Sequence, residues 1–317
     1  MLQVITDNKQ GGVFDISELV TSATWKTSRI GKPGSVDLTI LQDANYMINN
    51  GDIIALRWDD VPLFYGYVFT IGRSEADTLT IKAYDQIRYL AATDTYVFKN
   101  KTAAAIVKQI ADDFGLKWGH VVDTKYKIPS MVEDGQKLLD IIDKAFALTT
   151  INTGSIYVFY DDYGKLAVQN VKDRVLELVI GDESLLTDFT YQQSIDSDTY
   201  NRIKLVRDNK KSGKRDVYIA QDSNNIAKWG RLQYYQKVDD NQNEAQIKAL
   251  LDQLSKLKNR ETKSLKITAL GDPTVRVGSY LKVEIGELAI DQLFLIEECS
   301  HIFNGDDYTV SIEVKVV

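Results

Sequence analysis

The sequence predicts a mainly β protein in which a small α+β region separates two runs of strands, with one further helix inserted in the second run. Three observations carry this. Apolar and polar residues alternate with a period of two towards both ends of the chain. The period lengthens to that of a helix in the middle. A glycine-led β-meander at Gly51 is matched in pattern by another at Gly278.

The first run, residues 1–96, reads as strand nearly throughout. Val36, Leu38 and Ile40 alternate with Asp37 and Thr39. Ile54, Leu56 and Trp58 alternate with Ala55 and Arg57, and Leu79, Ile81 and Ala83 with Thr80 and Lys82. Each set puts its apolar side chains on one face of a strand. Clusters such as NNGD at 49–52 punctuate the strands, at the spacing of a small antiparallel barrel or sandwich.

Between 97 and 172 the period changes. Thr102 is placed to cap a helix carrying Ile106, Val107, Ile110 and Phe114, and Gly115 to close it. Asp134 is expected to cap a second helix, with Leu138, Ile141, Ile142, Ala145 and Leu148 on one face. The runs IYVFY (156–160) and KLAV (165–168), joined by DDYG, read as a hairpin. Strands return from 173 to 317. Ile203 and Leu205 alternate in one, Val217 and Ile219 in another, Leu265 and Ile267 in a third. Tyr308, Val310, Ile312, Val314 and Val316 share a face in the last. The inserted helix, about 240–260, starts at Asn243. Ile247, Leu250, Leu251, Leu254 and Leu257 form its apolar stripe; Lys248, Asp252, Lys256 and Lys258 lie on its polar face.

The two meanders correspond strand by strand. Gly51-Asp-Ile-Ile-Ala-Leu-Arg matches Gly278-Ser-Tyr-Leu-Lys-Val-Glu. Phe64-Tyr-Gly-Tyr-Val corresponds to Phe294-Leu-Ile-Glu-Glu, and Thr78-Leu-Thr-Ile-Lys-Ala to Thr309-Val-Ser-Ile-Glu-Val. Identity is low, so the pattern fits a duplicated barrel and also fits two unrelated meanders.

Composition narrows the function. A chain of 317 residues with 44% hydrophobic content can bury real cores, and its length suggests roughly two domains. A net charge of −7 argues against a nucleic-acid-binding surface, which needs clustered Lys and Arg. One cysteine, Cys299, leaves no internal disulfide framework and no four-cysteine zinc site; it reads as a small, half-buried strand residue. No apolar run approaches a membrane span, and no secretory signal is visible, so a soluble protein made in the cytoplasm is expected.

Motifs for chemistry are missing. His120 and His301 lack a second ligand at metal spacing, and His301 reads as a strand or surface residue. There is no nucleophile elbow, P-loop or dinucleotide fingerprint. DDNQNE at 239–244 begins like a calcium loop, but Glu244 occupies the glycine position and Leu250 the terminal Glu position. Asp161 and Asp162 could be imagined as a catalytic pair; their place in DDYG favours a turn. The sequon at Asn100 has no meaning without secretion. Many of the 17 tyrosines, among them Tyr65, Tyr67, Tyr157, Tyr160, Tyr218, Tyr234 and Tyr235, fall in strands, which suits half-buried faces and protein interfaces. No catalytic, cofactor-binding or metal-binding residue is assigned.

Several long phrases resemble one family. GKRDVYIAQDSNNIAKWGRLQYYQ (213–236) is similar to a signature of the baseplate hub proteins of contractile phage tails, the PBSX-type prophage tail proteins related to the late control protein D family. TAAAIVKQIADDFGL, DGQKLLDIIDKAFALT, NTGSIYVFYDDYGKLAVQN, SIDSDTYNRIKLVRDN and ALGDPTVRVGS agree with it. The resemblance implies two tube-like β-barrels, 1–96 and 173–317, flanking a small α+β domain, 97–172. It implies a homotrimeric ring that joins the hexameric tail tube protein to a trimeric central spike protein and touches other baseplate proteins. DNA would at most pass through the channel, past an acidic or neutral lining that does not hold it. Assembly in the bacterial host cytoplasm and residence in a virion tail, or in a tail-like bacteriocin, follow from the same resemblance. No enzyme and no cofactor are implied. A carbohydrate- or receptor-binding β-protein is the competing reading, and a cell-wall hydrolase a weaker one.

Overall fold

The structure, a computed structural model, describes all residues except 44–45, 74–76, 197, 210–212, 241 and 316–317. They divide into two compact units: residues 1–190 with 265–315, and residues 191–264. The protein is mostly β, as the sequence predicts.

The chain opens with β1 (Leu2–Asp7), β2 (Val13–Asp15), β3 (Val20–Ser28), β4 (Ser35–Leu41), β5 (Ile53–Trp58), β6 (Val61–Arg73) and β7 (Thr78–Tyr84). They pair antiparallel in the order β3-β4-β7-β6-β5-β1-β2. Their alternating residues bury as expected: Val36, Leu38, Ile40, Ile54, Leu56, Leu79, Ile81 and Ala83 line one core.

Next come β8 (Thr93–Lys101), α1 (Ala103–Asp113), β9 (Trp118–Val121), β10 (Ile128–Lys137), α2 (Leu138–Thr153), β11 (Tyr157–Asp161) and β12 (Leu166–Asn170). The helices share a core with β8 and β10, which pair with each other, and with β11 and β12. Thr102 caps α1, its hydroxyl accepting from the Ala105 N–H. Asp134 does not cap α2. Glu133, Gln136 and Lys137 pair with β8 around a bulge at 134–135, so α2 starts at Leu138 with Lys137 at its N-cap and no side-chain cap. The Asp134 carboxylate instead accepts from the Thr95 hydroxyl at 2.8 Å. Strand pairing overrides the local capping signal here. The DDYG turn is a two-residue hairpin loop: Tyr163 and Gly164 have φ of +49° and +85°, the left-handed pair that matches strand twist.

β13 (Val175–Gly181) and β14 (Leu186–Ser194) lead into the second unit, residues 191–264. It holds β15 (Arg202–Asn209), β16 (Lys214–Gln221), α3 (Ser223–Trp229), β17 (Gln233–Lys237) and α4 (Glu244–Lys258). The sheet order is β16-β15-β17. Ile203 and Leu205 pack against Ile247, Leu251 and Leu254 of α4. Asn243 and Gln246 form a reciprocal capping box at the start of α4. Leu257 falls off the stripe and is 47% exposed. On β16 the register reverses the sequence expectation. Tyr218 pairs with Leu205 and Ala220 with Ile203 on the α4 side, so Val217 and Ile219 point the other way and are exposed. The insertion is therefore larger than one helix: it is the whole unit 191–264.

The chain closes with β18 (Thr262–Leu270), β19 (Tyr280–Ile285), β20 (Ile290–Asn304) and β21 (Asp307–Lys315). Val310, Ile312 and Val314 share the buried face, with Tyr308 half-buried; Val316 lies outside the described residues. The strand order β14-β18-β21-β20-β19 repeats β3-β4-β7-β6-β5. Gly51 and Gly278 precede equivalent strands with φ of +90° and +72°, a conformation that favours glycine. The two sets form one 13-stranded sheet, because β20 serves both. Its residues 290–295 pair with β19, and its residues 298–304 pair with β3.

Candidate functional site

Within the first unit, three regions meet around a cavity of about 140 Å³. Trp25 of β3 and Tyr65 of β6 line one side, Asp161 of the 161–164 turn another, and Arg276, ahead of β19, a third.

Arg276 is held by main-chain oxygens. It donates to the carbonyls of Pro62 (2.8 Å), Leu63 (3.2 Å) and Pro273 (3.0 Å). Its guanidinium carbon lies 4.3 Å from the centre of the Trp25 ring. Burial lowers its pKa to about 10. Behind Trp25 stands His301 of β20, fully buried and stacked on that ring at 4.8 Å. Its Nε2 lies 2.9 Å from the Val275 carbonyl, so Nε2 carries the proton, and Nδ1 accepts from the Tyr308 hydroxyl at 2.7 Å. Cys299 Sγ is 3.3 Å from the same Nε2.

A cysteine beside a histidine suggests nucleophilic chemistry, which needs an accessible thiolate. This pair is sealed instead. Burial, with a small offset from Arg276, pushes the Cys299 thiol up to about 12. Burial and then Arg276 push His301 down to about 3. Both stay neutral and pack the strand. Cys299 is 1% exposed, more deeply buried than the half-buried position the sequence suggests. His301 is a strand residue, not a surface one. His120 lies exposed on β9.

Besides its neighbour Asp162, Asp161 acts on the buried Asp85, which caps the 3₁₀ turn Gln86–Ala91. Burial, then the Asp161 charge, holds the Asp85 carboxyl well above its ordinary range; burial foremost raises Asp161 to about 6. A raised carboxyl suits a general acid, but each oxygen here already accepts from the chain. Asp85 accepts from the N–H groups of Gly34 (2.8 Å) and Ile87 (3.0 Å). Asp161 accepts from the Gly164 N–H (2.6 Å) and from Gln86 Nε2 (2.9 Å). Gln86 also exchanges two hydrogen bonds with the Lys117 backbone. The cluster is a joint between the end of the first strand set and the α+β region. A small-molecule site usually offers about 300–1,000 Å³; this cavity is smaller. Asp85 was not singled out in the sequence; its only local signal is an Asp just ahead of a short helical turn, and nothing in sequence sets it beside Asp161. Among the described residues no group of three or more His, Cys, Asp or Glu could hold a metal ion, and no helix is long and apolar enough to cross a membrane.

A row of rings runs from this joint along β6: Tyr163–Tyr65, Tyr65–Tyr67 and Tyr67–Tyr89, with centroids 5.7, 6.2 and 5.7 Å apart. The sequence expected Tyr65 and Tyr67 to be packing or interface residues; they pack edge to face in this row.

A family model described as YQBQ-like matches residues 23–315. The chain is 33% identical over 309 residues to YqbQ of Bacillus subtilis strain 168, a protein described as uncharacterised, covering 94% of this chain and 92% of that one. It is also 33% identical over 305 residues to the phage-like element PBSX protein XkdQ of the same organism, covering 94% and 93%. The fold is shared with the 43 kDa tail protein of prophage MuSo2 from Shewanella oneidensis. That match has a TM-score of 0.72 and 15% identity, covering 98% of both chains. The resemblance seen in the sequence thus meets a PBSX homologue and a prophage tail fold, and the chain belongs to the YQBQ-like family.

Proposed function

We propose that this protein is a structural, non-enzymatic component of a phage or phage-like tail, located at the baseplate, and that it is the hub. Three copies form a ring that joins the hexameric tail tube to a threefold central spike. The observation that supports it most is the one-third identity with the PBSX protein XkdQ over nearly the full length of both chains. The repeated strand order adds a physical reason: three copies with two similar modules each present six such modules to a sixfold tube. In this reading the chain divides functionally at 1–96, 97–172 and 173–317. The barrels face tube and spike, and the α+β region braces neighbours and other baseplate proteins. Any DNA only passes through.

The test is co-expression with the tail tube protein of the same element, followed by electron microscopy. Rings of three copies capping the tube support the hub. A chain that binds neither tube nor spike protein overturns it. One observation favours a second reading, a receptor- or carbohydrate-binding β-protein: the ring row ends at Tyr89, which is 41% exposed. Binding to host cell walls that Tyr89→Ala abolishes would favour that reading.

A further inference from the structure

The sheet of unit 191–264 has α4 on one face only. Its other face carries three cross-strand rows in register: Gln221–Arg202–Gln233, Ile219–Lys204–Tyr235 and Val217–Val206–Lys237. Val217, Ile219 and Tyr235 are 50%, 43% and 51% exposed. Around them stand Arg202, Lys204, Arg215 and Lys237, with the carboxylate of Asp208 among them and the charge of Asp240 also acting on Lys237, in a chain of net charge −7. Asp208 is shared between Arg215 (2.9 Å) and Lys237 (2.5 Å). The Arg202 guanidinium donates to the amide oxygens of Gln221 and Gln233, and Lys204 Nζ lies 5.9 Å from the Tyr235 ring centre. Contiguous exposed apolar side chains rimmed by surplus cations fit an acidic protein surface.

We propose that this face docks on a second copy of the same chain, at the acidic groove beside β2. The contact would repeat head to tail around the ring, and it rests on the ring reading above. The second copy offers matching chemistry. The groove, about 970 Å³, is lined by Phe14, Asp15, Glu18, Tyr46, Asp59 and Asp60. β2 ends the strand order of its sheet, and Val13 and Phe14 on it are 63% and 44% exposed. An open, apolar edge strand of this kind invites pairing or cover. Basic face and acidic groove are different surfaces, so the contact is heterologous and closes into a ring when the rotation allows. The apolar residues between the cations favour a protein over a polyanion such as DNA.

Sedimentation velocity of the full chain over a concentration and salt series tests this. The wild type is expected to associate, and less so at high salt. Lys204→Glu/Ile219→Asp on the face and Phe14→Ser/Glu18→Lys in the groove should each abolish association while circular dichroism and melting stay those of the wild type. Mixing the two variants restores one good contact and should give a 1:1 dimer. A wild type that stays monomeric, a mixture that stays monomeric, or a face that binds DNA and not protein overturns the proposal. Association that both variants retain sinks the surface assignment alone; rings on the tube end would then still uphold the hub.

Discussion

The two strand sets share an order and differ in what they admit. β3 and β4 are joined by a short turn, whereas the equivalent β14 and β18 are joined by the whole of unit 191–264. The second hairpin accepts the insertion because its strands still pair at the base; closing a long loop costs only slowly more than closing a short one. The interiors differ too. β6 buries Leu63, Phe64 and Val68, all apolar, whereas β20 adds Cys299 and His301 to its apolar Phe294, Leu295, Ile296 and Phe303. β20 needs this mixture because it works for both sets. His301 stacks on Trp25 of β3, and Phe303 joins the first core outright. The two modules that the sequence repeats are joined in one sheet through a shared strand.

The sharpest way to break that comparison is Phe303→Ala. The ring is 2% exposed and lies 4.4 Å from Tyr308 and 5.4 Å from Trp58, centre to centre. Its loss should cost about 3–5 kcal/mol. If the sets are one body, urea unfolding followed by tryptophan fluorescence shifts as a single transition. Two transitions, with only one shifted, would mean independent modules. Arg276→Met comes next. The variant keeps a chain that can pack on Trp25 but leaves the Pro62, Leu63 and Pro273 carbonyls without this donor. A loss of about 1–3 kcal/mol is expected. An unchanged midpoint would show that the joint between the two sets does not depend on this cation.

The joint at Asp85 and Asp161 gives a smaller, pH-dependent effect. The folded value for Asp161, about 6, lies above its ordinary 3.8. The folded state therefore holds the proton more tightly, and this contribution is full below pH 3.8 and lost as pH rises through 6. Asp143, raised to about 6 by burial and then by Asp140, acts in the same direction. Thermal melts of wild type and Asp161→Asn between pH 5 and 7.5 isolate this contribution. The wild type should lose about 1–2 kcal/mol more across this range than the variant. Equal slopes would show that Asp161 titrates as an ordinary carboxyl.

The sequence carried the local signals well where one physical term dominates. Period-two alternation placed β4, β5 and β7, and Thr102 and Asn243 capped the helices assigned to them. It misled where two terms compete. Asp134 looks like a cap, but it sits in a bulge of β10, where the Thr95 hydroxyl of β8 holds its carboxylate. Val217 and Ile219 look like inner residues, but register with β15 turns Tyr218 and Ala220 inward instead. What it could not carry is contact between distant segments. The Asp85–Asp161 joint and the sharing of β20 depend on pairing across most of the chain, and neither leaves a periodic trace.

The insertion itself provides the finest test of the comparison. If unit 191–264 is an addition to an otherwise repeated plan, weakening it should leave the repeated plan untouched. Asn243 accepts from the Gln246 N–H at 2.9 Å, while Gln246 returns a bond to the Asn243 N–H at 2.9 Å. Asn243→Ala removes one half of this box and leaves an orphan donor in the first turn of α4, at a cost of about 1 kcal/mol. Hydrogen exchange resolved by segment reads where that cost falls. Faster exchange in α4 and β15, with β20 and β21 protected as before, marks an insertion with its own stability. Acceleration that reaches β20 equally would join the insertion to the shared strand, and the second set would then differ from the first in more than the length of one connection.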